Sequence, residues 1–201
     1  MPLEVSRSFG DGNTVPYGPV FDGIRRNSGF VDLRDRPDLA DKISEGVFSP
    51  KLRELLKRLV INKWYFSLGC DLGEHIEEEQ PPASRKVSGG YIQIVAANYA
   101  EASTAHYDAF CEAFGRELKS YGEKRKWRIT LEGTYVQFNL SDEPPVKAPS
   151  IWIWFFAAAK TYERSSQSRE ELLSAIQEAL HAYRVRKCLP RPKGIGASCS
   201  D

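Results

Sequence analysis

The hydrophobic pattern is densest at Ser150–Ala159, SIWIWFFAAA, where no charge interrupts the run before Lys160. Such a density of Ile, Trp and Phe favours a strand, and its lack of alternation predicts cover on both faces. Upstream, Trp64, Phe66, Leu68, Cys70 and Leu72 alternate with Tyr65, Ser67, Gly69 and Asp71, which predicts a strand with one face buried. Trp127, Ile129 and Leu131 alternate likewise, and the phase then shifts to Val136, Phe138 and Leu140. Gly133 lies at the shift and predicts a bulge or a tight bend there. Leu52, Leu55, Leu56, Leu59 and Val60 recur at the helical period after Ser49-Pro50, an N-cap followed by proline at the first helical position. Two more helices are predicted over 103–122 and 168–186, the second opening on Ser168-Arg-Glu-Glu171 as a capping box.

These elements repeat. Trp64-x-Phe66-x-Leu68 returns as Trp127-x-Ile129-x-Leu131 at an offset of 63, and Gln80-Pro81-Pro82 returns as Glu143-Pro144-Pro145. Tyr91–Ala97 answers Ile153–Ala159 at an offset of 62, and Phe110, Phe114 and Leu118 answer Leu172, Ile176 and Leu180 at the same offset. Matches in one order at a nearly constant offset point to an internal duplication. The expected fold is α+β: duplicated ββα units, about 61–123 and 124–187, form one antiparallel sheet with two helices on one face. Residues 1–48 are expected to form an irregular arm with a short helix, residues 49–187 the domain with its leading helix, and residues 188–201 a flexible tail. The layout resembles the α/β sandwiches of secretion chaperones and small adaptor proteins, and no family motif accompanies it.

The offset of 62 sets Trp154 opposite Ile92 and Phe156 opposite Ile94, directing all four at the helices. Alternation then sends Ile151, Ile153 and Phe155 to the other face, with Tyr91, Val95 and Tyr65. A patch of that size predicts a cover, either the arm or another chain.

Composition narrows the picture without choosing a function. Lys and Arg total 28 against 27 Asp and Glu, so there is no global pull toward polyanions. Nothing approaches a membrane span, and the first residues lack the apolar segment of a signal peptide, so the expected compartment is the cytoplasm. Four cysteines lack zinc-ligand spacing, and no metal or cofactor is expected. No glycine-rich phosphate loop or nucleophile–base motif is present, which leans against an enzyme; a site assembled only by folding stays open.

Two charged features remain. Glu77, Glu78 and Glu79 make an acidic loop suited to partner contact, although most such runs are simply solvated. Lys124, Arg125 and Lys126 close one repeat helix, and Arg184, Arg186 and Lys187 close the other. The macrodipole explains cations there, and a nucleic-acid backbone is the functional alternative. The leading expectation is a non-catalytic cytosolic protein-interaction module of the adaptor, immunity-protein or chaperone kind. It binds another protein, or a second copy as a homodimer, through Tyr65, Tyr91, Val95, Ile151, Ile153, Phe155 and the acidic loop. The alternatives are a nucleic-acid-associated protein, and a small enzyme or ligand binder with a pocket between sheet and arm.

Overall fold

The computed structural model describes residues 3–21, 26–27, 29–78, 85–119, 121, 126–139 and 144–186. The chain opens with strand β1 (Leu3–Val15) and a small ribbon of β2 (Val20–Phe21) with β3 (Arg26–Asn27). A 3-10 turn at Pro37–Lys42 leads into the short helix α1 (Ser44–Phe48) and then α2 (Pro50–Asn62). Strands β4 (Tyr65–Glu78) and β5 (Arg85–Ala96) pair before α3 (Thr104–Lys119). Strands β6 (Trp127–Phe138) and β7 (Val146–Ala159) pair before α4 (Tyr162–Arg186). The five long strands form one sheet in the order β1-β6-β7-β5-β4, antiparallel except where β1 runs parallel to β6 at the edge. The fold is mixed α and β around a mainly antiparallel sheet, as expected.

Helices α2, α3 and α4 share one face of the sheet, so the leading helix belongs to the same layer as the other two. Phe110, Phe114 and Leu118 of α3 and Leu172, Ile176 and Leu180 of α4 are buried with Ile92, Ile94, Ile129 and Leu131 of the sheet. Ser49 caps α2, its Oγ accepting from the Leu52 N–H at 3.1 Å. The start of α4 differs from expectation. It begins at Tyr162, with Thr161 Oγ1 accepting from the Arg164 N–H at 3.3 Å, so Ser168 is interior. The extra turns carry no apolar stripe; they are held by Ser165, buried and 2.8 Å from the Ser88 hydroxyl of β5.

The other face differs more. The segment expected to be irregular contributes the thirteen-residue strand β1, disguised by its Gly, Ser and Asp content. Its register against β6 shifts between Ser6 and Gly10, so the irregularity lies in β1. Strand β6 itself pairs with β7 without a break from Trp127–Ala157 to Phe138–Val146, so Gly133 marks no bulge. The change of pattern along β6 records a change of cover. Ile129 and Leu131 face the helices, whereas Val136 and Phe138 face the arm. There Val15, Tyr17 and Phe30 close over Phe66, Leu68, Val95 and Ala148 in a second, smaller core. Strand β4 does bulge, with Leu68 as the extra residue between Ser67 and Gly69. That bulge turns Phe66 and Leu68 toward the arm while Cys70 and Leu72 pack on the helical side, breaking the single alternation expected.

An aromatic shelf as candidate functional site

The described residues of the arm cover one half of the sheet's second face. On the other half, Trp152 and Trp154 of β7 stand side by side, ring centroids 5.5 Å apart and planes 10° from parallel. Tyr91 of β5 lies against both, at 4.6 Å from Trp152 and 4.9 Å from Trp154. All three are only half-buried. Phe156 extends the row, and the Arg128 guanidinium of β6 sits 4.9 Å from its centroid.

The indoles are held in place by the neighbouring strand. Trp154 Nε1 donates to Glu132 Oε2 at 3.1 Å, and Trp152 Nε1 donates to Thr134 Oγ1 at 3.0 Å. Behind Thr134 runs a polar chain across three strands. The Thr134 and Ser150 hydroxyls lie 2.9 Å apart, and Gln93 Nε2 donates to Ser150 Oγ at 3.0 Å. Gln93 and Ser150 are almost fully buried, so this network is shielded from water and fixes the rotamers above it. A shelf so held loses little side-chain freedom when something lies on it.

Two recesses flank the shelf. The larger, about 510 Å³, runs between sheet and arm and is bounded by Asn13, Thr14, Tyr17, Tyr91, Gln93 and Trp152. The residues that line it include no carboxylate, histidine or cysteine. Burial raises the Tyr17 hydroxyl above its ordinary value. Burial, and then the charge of Asp71, pushes Tyr91 up to about 12. Both phenols therefore stay protonated at neutral pH and act as hydrogen-bonding groups, not bases. The smaller recess, about 250 Å³, lies beyond Trp154 toward Asp71 and Phe156.

Most of the residues expected to meet a partner lie elsewhere. Ile151, Ile153, Phe155 and Tyr65 are buried in the helical core, and Val95 is buried beneath the arm. The cause is parity: Tyr91 pairs with Trp154 and Ile92 with Ile153, so Trp154 shares a face with Tyr91 and not with Ile92, one residue away from the facing expected from the offset of 62. Shifting by one residue exchanges the faces of every side chain. Tyr91 alone keeps its expected exposed position, and Trp152, Trp154 and Phe156 replace the others. A polar N–H makes Trp the natural occupant of a half-wet face.

Of the acidic loop, the backbone of Glu77 and Glu78 continues β4, and Glu79 lies outside the described residues. Lys126 is exposed; Lys124, Arg125 and Lys187 lie outside the described residues, and only the backbone of Arg184 and Arg186 is described. Among the described residues no group of His, Cys, Asp and Glu is placed to hold a metal ion. No described helix is long and apolar enough to cross a membrane. Compared with protein-family models, curated proteins and solved structures, the chain matches none.

Proposed function

We propose that the protein is a non-catalytic cytosolic interaction module that docks a partner protein on the uncovered half of its sheet. The observation that carries this reading is the preorganised row of Tyr91, Trp152 and Trp154, left half-exposed beside a half closed by the arm. Aromatic side chains with satisfied polar tips are the usual anchors of such interfaces. The test is capture with the tagged full chain and with Trp152→Ser, both checked for native circular dichroism. A stoichiometric partner retained by the parent and lost by the variant supports the reading, as does a Trp152-dependent homodimer. Equal capture by both, or no partner and no dimer, overturns it.

The duplication belongs with this proposal. At an offset of 63, Tyr91 corresponds to Trp154, and these two are direct partners across the central strand pair. Ile92 then corresponds to Phe155 and Ile94 to Ala157, all facing the helices, which supports two copies related by a local two-fold through the shelf.

A second reading draws on the larger recess. Its volume suits a small molecule, and Asn13, Thr14 and Gln93 supply polar groups beside aromatic walls. A thermal-shift screen in which stabilisation disappears with Tyr91→Ala would favour this ligand-binding role.

A further inference from the structure

The smaller recess beyond Trp154 has a chemistry of its own. Gly73 and Gly89 form its floor, and Tyr91, Trp154 and Phe156 form its walls. A side chain at 89 would meet the Phe156 ring at 2.5 Å, so that glycine is what lets the ring lie over the strand. Nothing stands nearer than 3.9 Å to a Cβ placed on Gly73, so the floor stays open. At the rim lies Asp71, a partly buried carboxylate with no hydrogen bond or ion pair among the described residues.

We propose that this recess takes one cationic side chain, arginine or lysine, presented by the docked partner. The inference rests on the docking reading above and deepens it. Three aromatic faces around one carboxylate make a region of negative potential in which an ammonium or guanidinium gains from the rings and the ion pair together. An apolar side chain would leave Asp71 desolvated without a partner, which is the costly arrangement. The molecule already uses this chemistry next door, where Arg128, outside the recess, stacks on Phe156. Burial is the main cause of the high Tyr91 value, and Asp71 is the largest charge that adds to it.

The test is a titration of the ¹⁵N-labelled full chain with short blocked peptides carrying one arginine, one lysine, or the neutral isostere citrulline. The reporter is the indole N–H of Trp154. The expected result is a saturable shift with either cationic peptide, no shift with citrulline, and weakening by about tenfold in Asp71→Asn. Asp71→Asn is nearly isosteric, and its native spectrum shows whether the fold is intact; Phe156→Leu, which removes one aromatic wall, should weaken binding independently. An equal response to citrulline, a response to neutral sugars instead, unchanged binding in Asp71→Asn, or no shift at millimolar peptide each overturns the assignment. A silent titration alongside Trp152-dependent capture removes the cation and leaves the docking reading standing. A cation-specific shift without any Trp152-dependent partner does the reverse.

Discussion

The ring of Phe9 fills the space that a side chain at position 133 would need: a Cβ built on Gly133 falls 2.6 Å from Phe9 Cζ. The glycine makes room for a contact between strands, because Phe9 also packs edge-on against Tyr107 at 4.9 Å and near Tyr135 at 5.3 Å. Gly133→Ala should therefore push Phe9 off β6 and loosen the edge strand, costing about 1–3 kcal/mol. Chemical denaturation measures it. A stability unchanged or raised would mean that Phe9 moves aside freely.

A second long-range contact ties α4 to the start of α2. Glu170 accepts from the Ser49 hydroxyl at 2.7 Å and from the Lys51 N–H at 3.1 Å, capping a helix more than a hundred residues away. Ser49 is fully buried, so each partner depends on the other. Ser49→Ala and Glu170→Ala should each cost about 1–2 kcal/mol. The double variant should cost clearly less than their sum, because one network is broken once. Strict additivity would show that the two residues stabilise separate things.

What the residues revealed, and what they hid, follows from how each element is covered. Helix α2 was legible from Ser49, Pro50 and its leucine stripe because all of those features are local. The second faces of β4 and β6 were not, because Phe66, Val136 and Phe138 look like core residues whichever layer covers them. Strand β1 was hidden by residues that rarely favour strands, and it exists because β6 offers an unpaired edge. The shelf was lost through parity alone. An offset of 62 set Trp154 with Ile92, whereas the ladder pairs Trp154 with Tyr91, and that one residue decides which aromatic residues meet water.

That parity is directly testable at two adjacent positions. Phe155 is fully buried beneath the helices, whereas Phe156 is half-buried on the open face. An aspartate at 155 would be an unpaired charge in the core and should abolish cooperative unfolding. Phe156→Asp should keep a single thermal transition with a modest loss of stability. The opposite ranking would reverse the two faces of β7 and remove the shelf.

Alkaline stability offers a check that reaches both faces at once. Burial raises the phenols of Tyr17, Tyr65, Tyr107 and Tyr183, and burial followed by the charge of Asp71 raises Tyr91 to about 12. A phenol that ionises later when folded than when unfolded stabilises the fold fully below its unfolded value, about 10, and loses that stabilisation as pH rises through the folded value. Between those limits the unfolded chain holds fewer protons than the folded one, so unfolding free energy falls with pH. Stability should be flat with respect to these groups up to about pH 9 and decline steeply from about pH 10 toward 12. Phenolate absorbance should then rise cooperatively with loss of circular dichroism, because the buried phenols are released together. Tyr91→Phe should make the decline shallower by one titrating group. Asp71→Asn should let Tyr91 ionise at lower pH, since it removes the charge that opposes the phenolate. A gradual titration of all nine tyrosines near pH 10 with the fold intact would contradict the burial of these five.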